Sequence, residues 1–187
     1  MGRPKMLLPW GRTTILGHSI QTWSGLVDDI IVIYSGADRS LQAELDRIEF
    51  PPASRIVNPD PSKGMFSSIQ TAATWSGWPK GITHFVIVLG DQPHLRTDTL
   101  RAVLELAREF PERICQPSRA RRPRHPVIIP SNLFLTLRDC KETTLKDVLK
   151  NHSSMIQLVE VNDPGLDVDI DRPEDYGHAL RAFAPPA

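Results

Sequence analysis

The chain has 187 residues, with 40 % hydrophobic and 24 % charged content, which is the make-up of one globular domain with a substantial core. Lysine plus arginine equal aspartate plus glutamate at 22 each, so no net field draws the protein onto nucleic acid or an anionic membrane. No apolar run approaches the roughly 20 residues of a membrane span, and Met6-Leu7-Leu8 stops at Pro9, too soon for a secretory leader. A cytoplasmic location is therefore expected. Met6 stands where a myristoylation signal needs Ser or Thr, so no lipid anchor is expected either. Cys115 and Cys140 match no CxxC or zinc spacing and read as reduced bystander thiols.

Taken in chain order, helical and strand patterns alternate. A helix is expected over residues 14–23, a strand over 30–34, a helix over 41–48, a short strand over 55–57 and a helix over 66–75. Val86, Ile87, Val88 and Leu89 form a continuous apolar run, the pattern of a strand covered on both faces. Next comes a helix whose Leu100, Val103, Leu104 and Ala107 recur at helical spacing, with Thr97 or Asp98 as its cap and Pro111 closing it. Further strands are expected over 113–115, 127–129 and 157–161, helices over 133–137 and 145–152, and Pro173 opens the last helix. Residues 184–187 read as a frayed tail. No repeat or linker interrupts this α/β rhythm, so a single domain over 1–187 is expected.

Three segments carry candidate chemistry. The first is Leu89-Gly-Asp91-Gln-Pro93, which places a carboxylate at the exit of a buried-type strand; ligands of parallel sheets sit outside the carboxyl ends of their strands. Asp91 can hold a metal or serve as a turn-former. The second is Asp167-Val-Asp169-Ile-Asp171, followed by Arg172-Pro173-Glu174-Asp175. Extended geometry would point Asp167, Asp169 and Asp171 to one side, where they repel one another unless a hard cation such as Mg²⁺ joins them. Alternatively Asp171 caps the helix beginning at Pro173. The third is the loop from Asn58 through Lys63-Gly64 to Ser67-Ser68, which feeds a helix amino end, where free N–H groups accommodate a nucleotide. One of the two serines can instead be the helix cap. Arg119, Arg121, Arg122 and Arg124 with His125 form the concentrated charge of a neutral chain, either a solvated loop or bidentate partners for an acceptor phosphate. His125 reads as a structural hydrogen-bonder and the four tryptophans as packing residues.

In this order the segments resemble the MobA-like nucleotidyltransferases, most closely the molybdenum cofactor cytidylyltransferase branch. Residues 1–11 resemble the second half of the family's amino-terminal signature, Gly64 to Ile69 its nucleoside loop, and Leu89 to Pro93 its metal motif. Arg124-His125-Pro126-Val127 is similar to its substrate-side strand, and Asp169 to Asp175 to its carboxyl-terminal acidic motif. The resemblance implies a Rossmann-like three-layer α/β sandwich of the nucleotide-diphospho-sugar transferase type, with a mostly parallel central sheet. The family signature opens with a strand and a Gly-containing loop ahead of the Met-Gly, and these are not in the sequence. The first strand is therefore expected to be missing, which leaves open a start placed too far downstream or a shortened relative.

The implied activity is Mg²⁺-dependent transfer of a nucleotidyl unit from an NTP, CTP being favoured, to a phosphate acceptor such as molybdopterin, with release of pyrophosphate. Asp91 and Asp169 would hold Mg²⁺, with Asp171 as outer ligand or helix cap, and Lys5 would offset triphosphate charge. Gly64, Ser67 and Ser68 would meet the nucleotide, and Arg121, Arg124 and His125 the acceptor. Other readings stay open: a sugar phosphate, a methylerythritol phosphate or a phospholactate as acceptor; a glycosyltransferase, since Asp169-Ile-Asp171 mimics a DxD motif; or a degenerate nucleotide-binding module without activity.

Overall fold

A computed structural model describes residues 4–185; Met1-Gly2-Arg3 of the amino-terminal signature and the last two tail residues lie outside the described residues. The chain opens with a 3₁₀ turn, Lys5–Leu7, and a tight hairpin of β1 (Pro9–Trp10) and β2 (Thr13–Thr14), with Gly11 at φ +57° in its turn. Helix α1 (Ile15–Ser24) follows, capped by the Thr14 hydroxyl, which accepts the Gly17 N–H at 3.1 Å. Next come β3 (Val32–Ser35), α2 (Arg39–Arg47), β4 (Arg55–Asn58), α3 (Met65–Thr74) and β5 (His84–Ile87). The second half runs α4 (Thr97–Glu109), β6 (Ile114–Arg119), β7 (Arg122–Pro123), β8 (Val127–Pro130), α5 (Ser131–Thr136), α6 (Leu145–Asn151), β9 (Ile156–Glu160) and α7 (Pro173–Phe183).

The principal sheet has five strands. β8 lies antiparallel between β5 and β6, β7 folds back on β6 as a hairpin, and β9 runs parallel to β6 on its other side. Strands β5, β6 and β9 therefore share one direction, with β8 and the short β7 against them. The alternation of β8 explains the layering. Val127 and Ile129 pack with Phe66 and Ile69 of α3, Phe134 of α5 and Val148 of α6 on one face, while Ile128 packs with Val103 and Ala107 of α4 on the other. All three β8 residues are fully buried, and each such side chain contributes about 1.5–3 kcal/mol. Helices on both faces of the sheet make the three layers that the α/β rhythm implies. Strand β6 is longer than its apolar pattern predicts, because Gln116 and Ser118 are buried and hydrogen-bonded: Gln116 donates to the Arg124 carbonyl at 3.1 Å, and Ser118 to Glu160 at 2.7 Å.

β3 and β4 form a separate parallel pair, and among the described residues no strand lies between β3 and β5. Ile31, Val32 and Ile33 line, together with Val86, Ile87 and Val88, a cavity of about 840 Å³. The β3 residues are consequently half-buried. Among the described residues no helix is long and apolar enough to cross a membrane.

Candidate active site

Packing brings the two ends of the chain together before any charge is considered. Trp10, Ile15, Ile170 and Ala179 form one buried cluster, against which Met6, Leu8 and Tyr176 pack; the Tyr176 hydroxyl donates to the Pro9 carbonyl at 2.6 Å. Ile170 is 1 % exposed, so the extended chain on either side of it turns Asp169 and Asp171 outward. Met6 reaches over Gly90, where a Cβ would fall 2.3 Å from the Met6 methyl, and Ser19 donates to the Gly90 carbonyl at 3.2 Å. The amino-terminal turn is thereby seated between the exit of β5 and the carboxyl-terminal acidic tract.

Lys5 completes the junction. Its ammonium lies 2.5 Å from Asp91 Oδ2 and 3.0 Å from Asp171 Oδ1, so three segments remote in sequence meet at one charge. Partial burial disfavours that charge, but the hydrogen bonds the ammonium donates to Asp91 and Asp171 outweigh it and raise the lysine pKa above its ordinary value.

The three alternating acids do not act as a set. Asp167 ends a 3₁₀ turn, Pro164–Asp167, and its carboxylate accepts from Arg119 and, at 2.6 Å, from Arg124, which together hold it below the usual carboxylate range. Asp171 pairs with Lys5 and does not cap α7; there the Asp175 carboxylate accepts the Arg172 N–H at 2.9 Å. The expected repulsion is thus relieved for two of the acids by protein cations. Asp169 is exposed, with no hydrogen bond or ion pair among the described residues. Nor, among the described residues, does any group of three or more His, Cys, Asp or Glu side chains converge as a metal cage. Asp91, half-buried where it lines the cavity, and Asp169, exposed, are hard oxygen donors, so a divalent ion held by either would take the remainder of its shell from phosphate oxygens and water, the usual habit of Mg²⁺.

The loop from Asn58 to Ser68 is built differently from its simplest reading. Gly64, at φ +81° with open space where a Cβ would be, precedes α3, and neither serine is the cap. The Asn58 amide donates to Ser67 at 2.7 Å and to Ser68 at 3.0 Å. Ser67 is buried and its hydroxyl is directed at the loop's own carbonyls, Gly64 at 2.7 Å and Asp60 at 3.0 Å, so it braces the loop. Ser68 is half-buried and lines the same cavity as Asp91. Asn58, named from the sequence only as the start of this loop, was given no role there; its signal was a polar residue closing a short strand.

Arg121 sits in the β6–β7 turn at φ +62° beside Ala120 at +50°, where residues with a Cβ are uncommon. Its side chain is exposed, while Arg119 and Arg124 are engaged by Asp167. His125 is half-buried, with Nδ1 3.5 Å from the Ile87 carbonyl at the end of β5. Burial holds His18, His94 and His125 below the ordinary histidine value of 6.5. The unfolded chain therefore binds more protons than the folded one as pH falls through 6.5, and stability should fall as pH drops below 6.5. Glu44 and Asp167, held low in the fold, add their losses only at more acidic pH. Urea midpoints at pH 7.5, 6.0 and 5.0 check this; a flat profile would contradict it. The Cys115 thiol, pushed up to about 11 by burial, is inert at neutral pH.

The model of the MobA-like NTP transferase domain matches residues 1–156. The chain is 28 % identical over 183 residues to the molybdenum cofactor cytidylyltransferase of Escherichia coli K12, covering 94 % of this chain and 86 % of that protein. Its fold matches the crystal structure of Rv0371c from Mycobacterium tuberculosis H37Rv with a TM-score of 0.75 and 25 % identity, over 97 % of this chain and 91 % of the other. The manganese complex of Rv0371c matches with a TM-score of 0.69 and 24 % identity, over 97 % and 94 % of the two chains.

Proposed function

Because the chain belongs to the MobA-like NTP transferase family, a nucleotidyltransferase family, we propose that it transfers CMP from CTP to a phosphorylated acceptor of the molybdopterin type, with Mg²⁺ bound at Asp91 and Asp169. One observation carries the site: the Lys5 ammonium resting between Asp91 and Asp171, at the end of the cavity that Ser68 also lines. A cation there already balances the carboxylates, and the same ammonium is poised for triphosphate oxygens. The preference for CTP draws on the cytidylyltransferase relative, and the likeness to a manganese-binding fold agrees with a divalent ion.

In this reading an oxygen of the acceptor phosphate attacks the α-phosphorus of the NTP. The bond from that phosphorus to the bridging oxygen breaks, and pyrophosphate leaves. No side-chain nucleophile is needed; positioning and charge neutralisation supply the acceleration. When bound, the divalent ion would neutralise charge that builds on the phosphates. Lys5 would hold the triphosphate, Gly64 and Ser68 would meet the nucleoside, and His125 and the basic hairpin would face the acceptor. Arg121 and Arg122 are both exposed and, unlike Arg119 and Arg124, neither is paired with Asp167, so these two arginines of that hairpin would reach an acceptor phosphate.

A panel of NTPs and phosphate acceptors with pyrophosphate detection tests the reading. CTP with a molybdopterin acceptor should give the highest kcat/KM, and silence with every NTP and acceptor would overturn the proposal. Arg121→Ala should raise the KM for the acceptor about tenfold with kcat nearly unchanged, the loss of one charge-assisted contact. A rise confined to the KM for CTP would place the hairpin on the other substrate.

A further inference from the structure

Asp169 has no partner among the described residues, yet the proposed site requires it to face Asp91 at a fixed separation. Its backbone is held on both sides. Ile170 is sunk in the Trp10 cluster, and the carbonyl of Val168 accepts a hydrogen bond from His94 Nε2 at 3.1 Å. His94 stands three residues after Asp91, is 4 % exposed, and its ring packs 6.3 Å from Trp10 and 5.7 Å from Phe183, centroid to centroid. Gly165 lies directly against it: a Cβ there would fall 2.9 Å from the His94 carbonyl and 3.2 Å from its Cδ2. Burying an imidazole among apolar rings costs free energy, and its Nδ1 has no partner. A leucine or phenylalanine would fill such a pocket without that cost, so the bonds to the backbone of the 165–168 segment, to the Val168 carbonyl at 3.1 Å and to Gly165, are what the polar side chain adds.

We infer that His94 is a positioning residue, joining the loop that carries Asp91 to the strand-like segment that carries Asp169 and so setting the spacing of the two carboxylates. This rests on the reading of Asp91 and Asp169 as a divalent-cation site. The tie spans 3.1 Å and is part-buried. It runs from the Asp91 loop to the peptide unit immediately before Asp169, so slack in it displaces one carboxylate relative to the other.

The test compares His94→Phe, which keeps the ring and removes the donor, with His94→Gln, whose amide nitrogen has similar reach. Native-state hydrogen exchange over residues 165–171 should be about tenfold faster in H94F and near wild type in H94Q, with α4 unchanged in both. Mn²⁺ affinity, read by paramagnetic resonance titration of the protein without nucleotide, should weaken about tenfold in H94F and recover in H94Q. Wild-type exchange and affinity in H94F would overturn the inference. Faster exchange with Mn²⁺ affinity intact would do the same, since His94 would then be structural only, as would an H94Q protein no better than H94F, which would trace the effect to packing. Asp91→Asn separates the two levels of argument. Loss of Mn²⁺ binding in D91N with full binding in H94F sinks the role of His94 alone, whereas full binding in D91N, or none in the wild type, sinks the cation site and this inference with it.

Discussion

Asp91→Ala should lower kcat about a hundredfold, roughly 3 kcal/mol of transition-state stabilisation, with little change in stability. The two expectations have different origins. Asp91 stands at the rim of the cleft with its side chain 26 % exposed, and its ion pair with Lys5 is part-exposed on both sides, so its net contribution to folding is about 0–1 kcal/mol. In the proposed reading its contribution to chemistry would come from holding a cation, or the Lys5 ammonium, against charge that develops on the phosphates. Pyrophosphate release measured beside a urea unfolding curve checks both parts. Undiminished turnover would reject Asp91 as a site residue. A large loss of stability would mean that the acid is structural and would void the catalytic interpretation of any fall in rate.

The reverse separation is expected at Asp163. This carboxylate is 1 % exposed and accepts the Arg96 N–H at 3.0 Å, the Thr99 hydroxyl at 2.8 Å and the Gly165 N–H at 2.9 Å. It therefore supplies the amino-terminal cap of α4 from 64 to 67 residues away, where no side chain of the helix's own start caps it. Asp163→Ala leaves those donors buried without an acceptor and should cost about 3–5 kcal/mol of unfolding free energy. Asp163→Asn retains a carbonyl oxygen and should lose clearly less. Denaturant midpoints at neutral pH decide it; an alanine variant within about 1 kcal/mol of wild type would show that water or local rearrangement satisfies the donors.

Local rules carry a defined distance into this protein. The helix at 15–24 and the strand at β8 follow from near-neighbour patterns, because side-chain periodicity depends on residues a few positions apart, whereas β5 runs His84–Ile87 and stops short of the Val88 and Leu89 expected to carry it up to Asp91. The same rules misplace the partners of charged groups. Thr97 and Asp98 are plausible caps for α4, yet Asp163 does that work; Asp171 is a plausible cap for α7, yet it meets Lys5, 166 residues away. Asp167, Asp169 and Asp171 look equivalent in a period-two tract, but a 3₁₀ turn and two arginines remove Asp167 from the group.

By itself, then, the amino-acid sequence determined the α/β class, the family, and which segments crowd the rim of the sheet, because hydrophobic spacing and motif order are written along one dimension. The tertiary structure decided which carboxylate is neutralised and which is unpaired among the described residues, that Ser67 braces its loop while Ser68 lines the cavity, and that His94 reaches Val168. Those outcomes depend on burial of Trp10 against Ile170 bringing the two ends of the chain to one place. An ion pair or a buried hydrogen bond acts over a few ångströms of space, and separation along the chain carries no information about that distance until the core has closed.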